Sequence, residues 1–398
     1  MPANRFRTWP RRRFLQTAWM AAAAGAWAAP APVAGGKRLR AAVIGHTGRG
    51  NYGHGLDEVF MDHPAVEFVA IADADPAGLE KAAAKTRAPG RYLDFREMLR
   101  REKPELVSIA PRHTDQRYAM AMAALQAGAH LYCEKPFTTT LAEADELLAL
   151  AGRSELRIAV AHQMSLAPQV LNLLSRLREG LVGEVVALEA HGKQDARAGG
   201  EDMIVLGTHL FDLMRHVTGD ATSCQAWIRE KGQTAEKAMA RKATEAIGPV
   251  LGDEVEARFE FAGGVTGRFI SRAKLKDSLG PWGLKILGTR GAVWVLMDIF
   301  PKVLWRSSME QGARDRRELW VPLPGDPSAS LAESERGFPA ANRRVVDDWL
   351  AAIRERREPR CSGHHAMKAV EMAMAAYESA LSGKPCRIPM SRREHPLV

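Results

Sequence analysis

Cysteine is scarce in this chain: Cys133, Cys224, Cys361 and Cys386 are the only four in 398 residues, with no CxxC pair and no zinc-type spacing. That excludes a disulfide-built scaffold, and no metal is expected. Four cysteines allow three pairings, and the sequence chooses none. Cys361 and Cys386 flank a predicted helix of about 19 residues, roughly 28 Å long, whereas a disulfide needs Cα atoms within about 7 Å. Buried free thiols are therefore the expectation. Aromatics are also few, at 7%, and no basic stripe with interleaved aromatics is present. Nucleic-acid binding is not expected. The formal charge of +9 includes five arginines in residues 1–36, which hold no acid, so the remainder carries only +4. There are no internal repeats. The one alanine-rich apolar run, at 17–29, is too short for a comfortable membrane span, so no stable membrane anchor is expected.

What is present is an ordinary globular composition, 46% hydrophobic and 26% charged, on a chain long enough for two domains. The N-terminus reads as a targeting segment. Arg11-Arg12-Arg13-Phe14-Leu15 is a twin-arginine pattern, and the apolar run ends at small-residue cleavage sites, Ala26-Trp27-Ala28 or Ala29-Pro30-Ala31. Pro10 stands where a Ser or Thr usually precedes the arginine pair. The expectation is export through the twin-arginine route to the periplasm, a route that carries folded proteins with cofactor already bound. Residues 1–36 are then signal peptide and linker.

From residue 37 onward, predicted strands at 37–44, 66–72, 106–110, 130–133 and 158–161 alternate with helical patterns at 76–86, 114–127 and 141–151. Near-continuously apolar strands alternating with helices predict a doubly wound parallel sheet, a Rossmann domain over 37–161. The pattern then changes. Strands at 184–190, 254–261, 265–272, 284–287, 292–296 and 319–321 lack intervening helices, which predicts a second α/β domain over 162–390 with a mostly antiparallel open sheet. A helix at 206–217 lies among these strands. Helices at 341–356 and 364–381 close the chain and are expected to pack back. Residues 231–250, rich in Ala, Lys and Glu, predict a surface helix or lid.

Three local motifs carry chemistry. Gly45-His46-Thr47-Gly48-Arg49-Gly50 joins the first strand to a predicted helix. A tight glycine turn lets backbone N–H groups approach a dinucleotide pyrophosphate at a helix N-terminus, although Thr47 occupies the second glycine position of GxGxxG. Asp73 lies 23 residues past Gly50, at the end of the next strand, near the roughly 20 expected of a ribose-binding acid. Its charge would repel a 2′-phosphate, so NAD is favoured over NADP. The second motif, Cys133-Glu134-Lys135-Pro136, follows a predicted parallel strand, where ligands of open sheets bind. A lysine there, near a cationic nicotinamide ring, would have a lowered pKa and relay a proton. The third, Gly207-Thr208-His209-Leu210-Phe211-Asp212, puts His209 and Asp212 on one helix face, with His209 a natural general base.

Taken together and in order, these motifs resemble the Gfo/Idh/MocA family of oxidoreductases over about residues 38–390. The stretch Ala124 to Pro136 is similar to the family's ALxAGxHVxxEKP, Gly207 to Asp212 to its GxHxxD, and Asp347 to Arg354 also resembles it. The resemblance implies a Rossmann domain plus an open-sheet domain often used for dimers or tetramers, and hydride transfer between a saccharide or polyol carbon and nicotinamide. It implies that Lys135 relays the hydroxyl proton, that Glu134 orients Lys135 or the cofactor, and that His209 is the substrate-side acid/base. Pro111, Arg112 and His113 would border the cofactor beside Gly45, Thr47, Gly48, Arg49, Gly50 and Asp73. Many members carry Asp four residues before the histidine; here that position is Val205. Asp202, at i−7 and roughly in phase, is the expected substitute, with Asp212 as further support.

Export bears on the chemistry, because no free NAD is expected in the periplasm. A tightly held cofactor would be restored by a second substrate, or within an oxidation–elimination–reduction cycle that cleaves a glycoside with no net redox change. A catalytically silent sugar- or nucleotide-sensing protein on the same fold is the alternative of a different class.

Overall fold

The structure is a computed structural model, and it describes residues 37–273, 281–307 and 320–398. The twin-arginine segment, its cleavage sites and Leu319 lie outside the described residues.

The five predicted parallel strands form, and an unpredicted sixth, Gly90–Tyr92, joins them. β1 (Leu39–Ile44), β2 (Val66–Ala72), β3 (Gly90–Tyr92), β4 (Leu106–Ile109), β5 (His130–Cys133) and β6 (Ile158–Val160) make one six-stranded sheet. Its order is β3-β2-β1-β4-β5-β6, and every pairing is parallel. Strand order reverses between β1 and β4, and that switch point is where such sheets bind ligands. Side chains of β1 alternate between faces. Ala41 and Val43 pack with Leu79, Ala82 and the C-terminal residues Val345, Val346 and Trp349. Ala42 and Ile44 join Met98, Leu125 and Leu147 on the other face. Burial on both faces explains why these strands read as continuous apolar runs.

Local signals set the helix ends. α1 (Pro76–Thr86) starts with proline at its first position, and the Asp75 side chain accepts from Gly78 N. The helix Leu141–Arg153 opens on a complete Thr140/Glu143 capping box. The predicted helix after the glycine turn does not form. Residues 51–62 run as successive turns, because Asn51, Gly53 and Gly55 take φ of 51°, 59° and 82°, which an α-helix cannot accommodate. The C-terminal helix Gly337–Glu355 is instead packed with Leu56 and Phe60 of that segment through Trp349.

The second domain is the expected mixed sheet. Its ten strands are mostly antiparallel, with Val185–His191 parallel to Thr266–Arg272 at the centre. Besides Lys302–Ser307 and several two-residue strands, the sequence pattern missed the long strand Ala221–Glu230. It buries Cys224, Ala226 and Ile228 against the helix Gly363–Ser382 and leaves Trp227 on the open face. Its small inward residues hide the alternation. Residues 231–250 form no long helix. They hold a short 3₁₀ turn, Lys237–Met239, and a two-stranded pair, Arg241–Lys242 with Pro249–Val250. Tertiary contacts override their helical composition: Thr244 N donates to Glu201 (2.9 Å), and Thr114 N to the Ala246 carbonyl (2.8 Å).

Candidate active site

The three predicted motifs converge at the carboxyl ends of β1, β4 and β5. The glycine turn follows β1. Gly48 (φ 80°) has open space where a Cβ would stand. At Gly50 (φ 87°) a Cβ would lie 2.5 Å from Arg112 N and 2.6 Å from His113 N, so only glycine lets the two loops meet. Asp73 corrects an expectation. Its carboxylate is 1% exposed and accepts from Thr47 N (3.0 Å), Thr47 Oγ1 (2.7 Å), Tyr52 Oη (2.7 Å) and Asp75 N (3.0 Å). The acid expected to face a ribose braces the turn from beneath. Tyr52 lies against Gly45, where a Cβ would come 2.0 Å from its ring.

Arg117, absent from the sequence reading, organises the neighbouring loops. Fully buried, it donates to the carbonyls of Glu134 (2.6 Å), Pro136, Pro111 and His113. One guanidinium thus ties the loop after β4 to the loop after β5. Glu134 is also fully buried; it accepts from His54 N (2.9 Å), from the His54 ring and from Lys135 N (2.8 Å). Burial alone would raise its pKa, but His54, Lys135 and Arg117 outweigh that and hold it at about 2. His54 is in turn set by Asn342, which donates to the His54 carbonyl (2.9 Å) and accepts from Tyr132 and Gln163.

Lys135 is buried, and its Nζ donates to the Val205 carbonyl (3.0 Å). Burial lowers its pKa, against the opposing pull of Glu134 and Glu245. Val205 lies in a π-helical turn, Met203–Gly207, that leads into the helix Thr208–Thr218 carrying His209. So Val205 serves the site through its backbone, not its side chain. His209 is 4% exposed, and its pKa is pushed well down by burial, then by the positive charge of Lys135. Its ring meets His162 at 5.1 Å and Trp282 at 6.0 Å, both edge-on. Among the described residues, His209 Nδ1, both ring nitrogens of His162 and Trp282 Nε1 are buried without a hydrogen-bond partner. Orphaned polar atoms in a native interior call for an occupant. Here they gather near Lys135, whose charge acts on both His209 and His162.

Two expected supports of His209 do not contact it. Asp202 accepts from Gln194 N (3.0 Å), Lys193 N (3.3 Å) and Ser271 Oγ (2.6 Å), fixing the end of the central strand. Asp212 accepts from Ser165 Oγ and faces other histidines. Asp202 misses because the π turn adds a residue and rotates the helix phase by about 100°.

The residues present fit a dinucleotide. The glycine turn exposes Gly48 and Arg49 at the switch point, Arg112 beside it pairs its Nε with Glu245 (3.4 Å), and the orphaned polar cluster lies near Lys135. Thr47 and Gly48 amides are already taken, by Asp73 and by Asn51 Oδ1 (2.9 Å). The turn is therefore shaped before any ligand arrives.

This topology and this site define a two-domain, Rossmann-type oxidoreductase. The chain belongs to the Gfo/Idh/MocA family: residues 39–162 match its oxidoreductase domain with NAD-binding Rossmann fold, and residues 178–388 match its C-terminal alpha/beta domain. It is similar to a D-apiose dehydrogenase of Paraburkholderia graminis, 25% identical over 380 residues covering 91% of this chain and 93% of that protein. An alpha-N-acetylgalactosaminidase of Shewanella oneidensis is 27% identical over 156 residues, 37% of this chain and 34% of that protein. In fold it matches a levoglucosan dehydrogenase solved with NADH and levoglucosan, with a TM-score of 0.69 at 21% identity over 89% of this chain and 100% of that one.

Proposed function

We propose that this protein oxidises a hydroxyl-bearing carbon of a sugar, glycoside or polyol, with Lys135 and His209 handling the proton. The observation that carries this reading is the desolvated lysine tied to the turn that delivers a desolvated histidine, with unbonded polar atoms converging between the two domains. The bound cofactor supplies the hydride acceptor. The chain's own groups do the rest. Lys135, with its pKa lowered, takes the hydroxyl proton as the carbon is oxidised. His209, neutral at physiological pH, is the second base. Glu134 and Arg117 keep the Lys135 loop in place. The similarity to sugar dehydrogenases supports the substrate class. NAD is the proposed cofactor, on the match to an NAD-binding Rossmann domain. The charged open face of the second sheet, where Arg258 stacks over Trp227 at 5.3 Å, is the proposed homodimer or tetramer surface. Export with cofactor in place remains part of the proposal, on the twin-arginine pattern alone.

A second reading rests on His162. Oxidation alone occupies Lys135 and His209 and leaves His162 unused. An oxidation that acidifies the neighbouring C–H, followed by elimination and re-reduction, uses a further base, and the partial match to a glycosidase is consistent with it. A silent sensor has no use for a lysine and two imidazoles kept desolvated. Purified protein should release a nicotinamide dinucleotide on denaturation, identified by mass spectrometry. It should then be reduced by one member of a sugar and glycoside panel, read by reduced-nicotinamide absorbance. Aglycone release with only transient reduction selects the second reading; no bound nucleotide and no reduction by any sugar sinks both.

A further inference from the structure

Beyond His162, away from Lys135, lies a cluster that the reaction does not use. Asp212 and His216, one turn apart on the helix Thr208–Thr218, face His365 on the helix Gly363–Ser382. One ligand atom from each of the three lies within 4.8 Å of the others. Asp212 Oδ2 is 3.5 Å from His216 Nε2, and Oδ1 is 4.0 Å from His365 Nδ1. The two imidazoles are stacked, with centroids 4.8 Å apart and planes at 18°. Asp212 Oδ1, His216 Nε2 and His365 Nδ1 are all buried without a hydrogen-bond partner among the described residues.

These facts do not suit a purely structural cluster. A fully buried carboxylate is costly unless a cation or several donors compensate it. Asp212 has one donor, Ser165, on Oδ2 and none on Oδ1. The groups nearest its oxygens are imidazoles, His216 Nε2 at 3.5 Å from Oδ2 and His162 Nδ1 at 3.7 Å from Oδ1. Arg215 is engaged elsewhere, with its side chain on Asp220 (2.8 Å) and on the His365 carbonyl (3.0 Å).

We infer that Asp212, His216 and His365 bind a divalent transition-metal cation of the zinc type, with water completing the shell on the partly exposed His365 side. Two imidazoles and one carboxylate are the donor set such ions take. Nothing in the local sequence announced it, because His365 joins from about 150 residues downstream and only the i, i+4 pair is local. The ion would lock the helix bearing His209 to the C-terminal helix, and would fix Asp212 beside His162. This assignment does not depend on the proposed activity.

The test uses the tag-free full chain, stripped with chelator and titrated with Zn²⁺ by calorimetry, then with Co²⁺ by visible spectroscopy. One equivalent of Zn²⁺ should bind, raise the melting temperature and give a Co²⁺ d–d band. His216→Ala and His365→Ala should each lose on the order of a hundredfold in affinity, while the adjacent, exposed His364→Ala keeps it. His365→Ala removes a surface-reaching ring, so circular dichroism should show a folded chain. No binding by the folded wild type would mean a protonated-histidine pair instead and would overturn the site. Equal binding by both variants, or loss in His364→Ala, would overturn it too.

Discussion

Replacing Lys135 with methionine separates the cost of burying this lysine from its use. The substitution keeps the apolar stem and removes the ammonium. Its one hydrogen bond, to the Val205 carbonyl at 3.0 Å, is lost, a bond from a charged donor worth about 1.5–3 kcal/mol. Against this, the desolvation of a buried cation, several kcal/mol, is relieved. Glu134 keeps His54 and Arg117 as compensation. Stability should therefore stay level or rise. Activity should fall by about 10²–10⁴, the contribution of one positioned proton relay, equivalent to about 2.7–5.4 kcal/mol of transition-state stabilisation. Lys135→Arg should be as inactive, since a guanidinium keeps its charge but cannot give up its proton. The assays are thermal unfolding and single-turnover nicotinamide reduction with the sugar found by panel screening. Activity within about tenfold of wild type in Lys135→Met would refute the relay. A melting point lower by more than about 5 °C would refute the claim that the lysine is held at a cost to stability.

Arg117→Met strips the donor from the carbonyls of Glu134, Pro136 and Pro111, about 1–3 kcal/mol for each carbonyl left dry; urea unfolding should show the loss, and nucleotide retention on gel filtration should fall with it. Asp73→Asn turns a donor toward Thr47 N and Tyr52 Oη, so bound nucleotide should be lost while Tyr52→Phe, which removes one bond, retains most of it; retention by both variants would show that the turn does not depend on Asp73. Acid should destabilise the fold in a defined window. His130 and His395 are brought to about 4, and His209 and His162 are also lowered, all chiefly by burial. The unfolded chain then binds more protons than the folded one between about pH 6.5 and 4, so stability falls as pH falls through that window, by about 1.4 kcal/mol per pH unit for each histidine. Glu134, at about 2, adds its own loss only below its unfolded value of 4.5. Urea midpoints that stay flat from pH 7 to 5 would contradict the burial of these rings.

Five strands of the parallel sheet were legible because each carries its own apolar run, which Gly90–Tyr92 lacks, and the Lys135 and His209 motifs were legible because they are contiguous. What escaped is what the fold assembles from afar. Arg117 reads as one residue within an ordinary predicted helix, 114–127, until its guanidinium meets the carbonyls of two loops. Asn342 lies 179–288 residues from the groups it joins, Gln163, Tyr132 and His54. His162 and Trp282 gain meaning only beside His209. The turns at 51–62 did leave a signal, glycines at 53 and 55 within an amphipathic stretch, and that signal outweighs the helical spacing.

The π turn at Met203–Gly207 shows why spacing arguments failed where they mattered most. Counting back from His209 at α-helical pitch puts Val205 one turn away and Asp202 two turns away, so Val205 reads as a missing acid and Asp202 as its replacement. The widened turn invalidates that count: Asp202 rotates away to the Lys193–Gln194 amides and Ser271, while the Val205 carbonyl meets Lys135 Nζ. A carbonyl dipole does for Lys135 what a carboxylate would do for the histidine, at a smaller charge and with no second proton acceptor. A full negative charge at this position would hold both Lys135 and His209 protonated. With a carbonyl there instead, burial wins for both groups, and both pKa values fall. Val205→Asp therefore reverses a physical choice. It should raise the pH at which activity appears, by restoring protons to both bases, and a pH–rate profile unchanged by that substitution would show that the widened turn does not tune the site.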